Sequence, residues 1–209
     1  MTDSVDPPVA GLILAAGMSS RMPGGPKSLL RFGDRSVIET VVAAATAADL
    51  RPVVVVLGHQ ASLIEAQLAG TEADILVHDG YDAGIFSSAA AGIRSLHDRG
   101  AEAAAVLLGD EPGIRPSDIK TVVSFWRSRR GLARARYADR PGHPVVLEIA
   151  PVADKLGSSG ASNVWEALSA VCQPVFEVDL TVPAPIDIDD PQGYERAISR
   201  LKKEQSGAC

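Results

Sequence analysis

The sequence predicts an α/β fold of three layers, α/β/α, around a mainly parallel sheet with a small antiparallel excursion. Three observations predict it. The runs "VAGLILA" (9–15), "RPVVVVLG" (51–58) and "EAAAVLLGD" (102–110) are apolar almost throughout, as strands buried on both faces are. Between them lie Ala-rich stretches of helical length and period. After about residue 130 this alternation gives way to two short strand-like runs set close together.

The elements follow in order. "VAGLILA" is a buried strand, and "SVIETVVAAATAADL" a helix with Ser36 in the N-cap position. "RPVVVVLG" is β-branched, free of polar interruption and stopped by Gly58. Residues 60–69 form a helix and "ADILVHD" a strand. "SSAAAGIRSLHDRG" is a helix ended by Gly100, its N-cap assigned to Ser87 or Ser88. The strand "EAAAVLLGD" and the helix "RPSDIKTVVSFWRSRR" come next. "LARARYA" and "HPVVLEIA" flank "DRPGH" as a hairpin. A helix near 161–170, a strand near 174–180 and the helix "PQGYERAISRLKKE" complete the chain, which ends in a frayed "EQSGAC".

Composition narrows the function. A net charge of −6 argues against a broad nucleic-acid surface but leaves room for a small anion held by a few placed cations. Two cysteines give no disulfide framework or zinc spacing, which points to a reducing cytoplasm. No apolar stretch has the length to span a bilayer, and the acidic, Pro-containing N-terminus is unlike a secretion signal. Trp126 and Trp165 read as core or interface residues.

Ligands of parallel α/β sheets bind beyond the carboxyl ends of the strands, so the loop after the first strand is the place to look. There, "LILAAGMSSRMPGGPKSLL" ends a strand in small residues, with Arg21 and Lys27 on a Pro/Gly-rich loop. Successive N–H groups at Ala15, Ala16 and Gly17 can cradle an anion, while Arg21 offers a planar fork and Lys27 a point charge. A polyphosphate fits this set. The loop is neither the G-x-G-x-x-G dinucleotide fingerprint nor the G-x-x-x-x-G-K-[ST] loop, because Pro26 precedes the lysine. Asp110 follows a buried strand at the same sheet edge; such an Asp either caps the next turn or binds a cation. In "PAPIDIDDPQGY", alternation places Asp187 and Asp189 on one face, and Asp190-Pro191 reads as a helix cap; capping alone is the competing reading of all three acids. His143, between Gly and Pro, either works in chemistry or bonds its own turn.

"LAAGMSSRMPGGPKSLL" resembles the L-A-A-G-x-S-x-R-M-…-K signature of nucleotidyltransferases with the glycosyltransferase-A-like fold. "GYDAGIFSSAAAGI", "LLGDEPGIRP", "GHPVVL" and "IDIDDPQGY" extend the likeness to the MobA-like branch of molybdenum cofactor cytidylyltransferases and molybdopterin-guanine dinucleotide synthases. The resemblance implies a Rossmann-like sheet of the nucleotide-diphospho-sugar transferase type in one domain, 1–209. Its nucleotide-binding part would be about 9–115 and its acceptor-side part about 116–209. It implies transfer of CMP or GMP from CTP or GTP, with Mg²⁺, to a molybdopterin-type acceptor, and handover of the product to a molybdoenzyme. By the same resemblance, Leu14, Ala15, Ala16, Gly17, Arg21, Lys27, Gly84, Ser87 and Ser88 contact the nucleotide. Arg21, Lys27 and Asp110 are catalytic; Asp110 and Asp189, supported by Asp187, bind the metal; His143 shapes the acceptor side. The chain departs from the family at "KLGSSGASNVWEAL", which lacks the Asp and Arg of a G-D-x-G-A-R segment. That departure keeps open a sugar-phosphate acceptor, or a nucleotide-binding protein without transferase activity. An oxidoreductase binding a dinucleotide is disfavoured by the missing glycine fingerprint.

Overall fold

The computed structural model describes residues 7–19, 21–153, 155 and 164–207. In chain order its elements are β1 (Val9–Ala15), β2 (Arg31–Phe32), β3 (Arg35–Ser36), α1 (Val37–Ala47), β4 (Val53–Leu57), α2 (Ala61–Leu68), β5 (Ala73–Val77) and α3 (Ile85–Asp98). Then follow β6 (Ala103–Leu108), α4 (Pro116–Arg129), β7 (Leu132–Arg136), β8 (Pro141–Glu148), α5 (Ala150–Ala153), α6 (Val164–Val171), β9 (Val175–Asp179) and α7 (Pro191–Ser206).

Seven strands form one sheet in the order β5-β4-β1-β6-β8-β7-β9. Every neighbouring pair is parallel except the two that involve β8, which is antiparallel to both β6 and β7. The antiparallel excursion is therefore one reversed strand inside the sheet. β2 and β3 make a separate antiparallel ribbon.

The unbroken apolar strands follow from helices on both faces. Along β1, Val9 and Ile13 join the core shared with α1, α2 and α4, whereas Ala10, Leu12 and Leu14 join the core shared with α3, α5 and α6. With both faces covered, alternation has no polar side to show. A third, smaller cluster of Phe32, Val37, Ile188 and Ala197 fastens α7 to the β2–β3 ribbon. Among the described residues no helix is long and apolar enough to cross a membrane.

Helix ends follow local chemistry, with one correction. Ser36 and Glu39 form a capping box at the start of α1: the Glu39 N–H donates to Ser36 Oγ, and the Ser36 N–H donates to the Glu39 carboxylate at 2.7 Å. Asp190 caps α7 by accepting from the Gly193 N–H at 2.7 Å. Neither Ser87 nor Ser88 caps α3. That helix begins two residues earlier, behind Gly84, whose φ of 96° turns the chain into it. Both serines consequently sit inside its first turn.

Two strand ends fix the site edge. Leu14 of β1 lies beside Leu108 of β6 in register, and the Gly109 N–H donates to the Leu14 carbonyl at 2.9 Å. A Cβ on Gly109 would stand 2.7 Å from Ala15 Cβ, so only glycine lets the two loops leave the sheet this close together.

Gly92 allows a similar approach of α3 to the sheet, because a Cβ there would stand 2.4 Å from Leu12 Cδ1 and 2.9 Å from Val56 Cγ2. Alanine ordinarily gains about 1 kcal/mol over glycine within a helix. Overpacking a rigid core costs about 1–3 kcal/mol, and here both neighbours are fully buried. Gly92→Ala is expected to lower stability by up to about 2 kcal/mol in a denaturant titration. A midpoint equal to or above that of the parent chain would contradict this packing.

Candidate active site

Three chain segments meet at the carboxyl edge of the sheet. The loop after β1 brings Arg21 and Lys27, the loop after β6 brings Asp110, and the segment before α7 brings Asp189. Ile188 is fully buried among the residues that hold α7, and its N–H donates to the Asp110 carbonyl at 3.0 Å. That bond sets Asp189 beside Asp110.

Lys27 Nζ donates to Asp110 Oδ2 at 2.5 Å and to Asp189 Oδ1 at 2.8 Å. Arg21 Nη2 lies 3.1 Å from Asp189 Oδ2. The two carboxylates do converge, and the cation between them is an ammonium group. Burial alone would lower the Lys27 pKa, but the two carboxylates outweigh it and hold the pKa above its ordinary 10.5. The hydrogen bond from Lys27, followed by the charges of Lys27 and Arg21, holds Asp189 below its ordinary 3.8 despite some burial. Among the described residues no group of three or more His, Cys, Asp or Glu is placed to hold a metal.

Lys27 and Asp110 also face a cavity of about 270 Å³. Leu14, Ala15, Ala16 and Gly17 form one side of it, and Gly84 and Ser88 another. A Cβ on Gly17 would meet nothing within 4 Å, so this side of the loop is open. Tyr81 and Asp82, from the family-like "GYDAGIFSSAAAGI" segment, line it as well, though neither was singled out as a contact. Ser87 faces elsewhere: its Oγ and His78 Nε2 share a hydrogen bond of 2.6 Å. Arg21 reaches the site through Asp189 and does not line the cavity.

Asp187 separates from Asp189. The segment is extended but belongs to no strand, and Asp187 instead faces Arg140 Nη2 at 3.2 Å. The alternation holds only as far as Ile188, which turns inward between them. Next to Asp187 is Glu111, only 2% exposed. Burial pushes its carboxyl up to about 7, opposed by the neighbouring His143 and reinforced by Asp187. His143 Nδ1 stands 3.6 Å from Glu111 Oε2, too far for a hydrogen bond.

His143 lies with Glu111 in a second cavity, which shares the lining residues Ile85 and Leu108 with the first. Trp165 packs against the core and also belongs to this second cavity's wall, beneath the Arg134 guanidinium at 3.9 Å. Arg140 and Glu111 carried no sequence signal of a site: one sits in a hairpin turn, the other beside the more conspicuous Asp110. The "SSGAS" stretch (158–162) lies outside the described residues.

The paired charges imply a pH dependence. A depressed folded-state pKa gives stability that is present above the unfolded value and lost as pH falls through the folded one. Asp189→Asn is therefore expected to lower the melting temperature near pH 6, with the gap to the parent chain closing as pH drops below about 3.8. Thermal melts across pH 2–6 check this. A gap that stays constant would show that Asp189 contributes nothing through its charge.

Nicotine blue oxidoreductase of Paenarthrobacter nicotinovorans is 30% identical over 155 residues, covering 71% of this chain and 74% of that protein. The crystal structure of Rv0371c from Mycobacterium tuberculosis H37Rv superposes with a TM-score of 0.81 at 27% identity, covering 92% of this chain and 98% of that one. A crystal structure of the same protein in complex with manganese superposes with a TM-score of 0.74 at 26% identity, with the same coverage. Residues 11–173, which span β1 to the end of α6, match the MobA-like NTP transferase domain, and the chain belongs to that family.

Proposed function

We propose that this protein is a Mg²⁺-dependent nucleotidyltransferase that moves CMP or GMP from CTP or GTP to a phosphorylated acceptor, the molybdenum-pterin cofactor, and releases pyrophosphate. The observation that carries the reading is the meeting of Arg21, Lys27, Asp110 and Asp189 at the mouth of a cavity formed by the family's signature loop. Residues 1–209 act as one domain in this reading, with the nucleotide bound by about 9–115 and the acceptor by about 116–209.

The acceptor phosphate attacks the α-phosphorus in line; a new P–O bond forms there while the bond to the β-phosphate breaks. No protein nucleophile is needed, so the chain's task is placement and charge. Arg21 supplies two parallel N–H donors to phosphate oxygens and Lys27 a compact positive charge. Leu14 to Gly17 line the phosphate path, with Gly84 and Ser88 on the nucleoside side.

The donor set fits a hard divalent cation. Asp110 and Asp189, whose oxygens converge on Lys27 Nζ, would hold it with that ammonium displaced, the remaining ligands coming from the nucleotide and water. When bound, Mg²⁺ supplies positive charge to the triphosphate and the leaving pyrophosphate. The manganese complex of Rv0371c supports a divalent ion in this fold. Asp187, expected to support the metal, is engaged by Arg140 instead.

A second reading rests on the relative that is an oxidoreductase: reduction of a small acceptor in the same cleft. Pyrophosphate release from CTP or GTP with Mg²⁺ and the pterin acceptor tests the first reading. Oxidation of a reduced nicotinamide cofactor without pyrophosphate would establish the second in its place.

Two variants extend the test. Lys27→Ala is expected to reduce turnover and triphosphate affinity about 10²–10³-fold. It should also destabilise the nucleotide-free protein, because Asp110 and Asp189 then face each other without their shared cation. Asp110→Asn is expected to abolish metal-dependent turnover to a similar extent, with some loss of stability because Lys27 Nζ loses its nearer carboxylate. Nucleotide titrations and initial rates measure both. Wild-type affinity for CTP and GTP in Lys27→Ala would exclude the phosphate role of that loop.

A further inference from the structure

The seven-stranded sheet has two open edges, β5 and β9. β9 carries Glu177 and Asp179, paired with Arg134 and Arg136 of β7, and a charged edge discourages pairing with another chain. The single charge of β5, Asp74, is already matched by Arg99. The large apolar side chains left exposed among the described residues are Met18, Leu63, Val77 and Ile85. Met18 and Ile85 line the first cavity, which accounts for them. Val77 on β5 is 49% exposed and Leu63 on α2 is 54% exposed, and no site described so far uses either. Both lie on one side of the sheet. Ala73 and Ile75 pack against the same core as Ile64 and Leu68 of α2, and Val77 follows them by alternation.

The register shows which backbone groups this edge leaves over. The His78 N–H donates to the Leu57 carbonyl at 2.8 Å, so Asp74, Leu76 and His78 turn their backbone groups toward β4. Ala73, Ile75 and Val77 turn theirs outward, where no strand lies beyond them among the described residues. The Ala73 N–H has a weak local acceptor in Thr71 Oγ1 at 3.4 Å. We propose that β5 pairs with β5 of a second copy of this chain, antiparallel about a two-fold axis at Ile75, so that one sheet runs through both copies. Ile75 then faces its own counterpart and Ala73 faces Val77, each pair exchanging both N–H···O bonds. This register uses every outward group of the strand. The small Ala73 leaves room for the exposed Val77 opposite it. On the other face Asp74 meets Leu76 and Glu72 meets His78, so no like charges oppose each other. Because the copies run in opposite directions, their nucleotide cavities open at opposite ends of the joined sheet and neither blocks the other.

Sedimentation equilibrium of the full chain, without nucleotide, is expected to show a mass that rises with concentration from that of one chain, 21.8 kDa, toward twice that value. Amide exchange followed by NMR locates the contact. The Ile75 and Val77 amides should exchange at least tenfold more slowly in the concentrated sample than in the dilute one. The Asp74 and Leu76 amides, already bonded to β4, should change less. Val77→Lys should hold the chain at the single mass at every concentration, with the melting temperature of the dilute parent chain, which separates lost pairing from lost folding. Glu72→Lys and His78→Glu should each associate more weakly alone than when the two variants are mixed, because mixing sets Lys opposite Glu. A single-chain mass at every concentration would overturn the proposal. So would a dimer that survives Val77→Lys, or one that leaves the Ile75 amide exchanging at its dilute rate.

Discussion

Lys27 Nζ holds together carboxylates that the chain supplies from 83 and 162 residues away. Without a cation, Asp110 and Asp189 would repel each other in a half-buried setting where water screens poorly. With it, three segments that share no secondary structure are tied at one point on the sheet edge. The backbone prepares this meeting: the Gly109 N–H on the Leu14 carbonyl sets the first two segments side by side, and the Ile188 N–H on the Asp110 carbonyl sets the third. The electrostatic knot is thus seated on hydrogen bonds that do not depend on pH.

The parallel half of the fold was legible because its physics is local. A strand covered on both faces must be apolar throughout, and β1, β4 and β6 read that way. Ser36 and Asp190 announce their helices because capping is settled within four residues. Ser87 and Ser88 misled for the complementary reason: serine favours a cap, but Gly84, with its left-handed φ, turned the chain first. Lys27 and Asp110 were recognisable as chemistry-bearing residues. That they bond each other was not, since nothing short of the sheet order brings positions 27 and 110 together.

The second cavity was largely invisible in sequence. Glu111 drew little notice beside Asp110, yet its burial makes it the less ordinary carboxyl of the two. Arg140 lies in a turn where arginine is unremarkable, and its meaning comes from Asp187, 47 residues later. Trp165 read as core or interface, and it packs against the core while also walling the cavity, a double role that sequence does not display. Such sites are assembled by topology from residues whose types are individually common. Two buried atoms without a hydrogen-bond partner among the described residues, set in one concavity, distinguish this one.

The reversed strand has a consequence of its own. In a wholly parallel sheet, a residue reaches the working edge only at the end of a strand, after the whole strand has been laid down. β8 runs the other way, so it delivers His143 to that edge near its beginning, directly after the turn that carries Arg140. This turn closes with the Tyr137 N–H on the Arg140 carbonyl and overhangs the edge without belonging to the parallel core. Lengthening or shortening it would redraw the second cavity while the pairing of β1 with β6 kept its register. The architecture separates the loops after β1 and β6 from the turn before β8, so that one can change without the other, which is how a single scaffold can come to serve chemically different tasks.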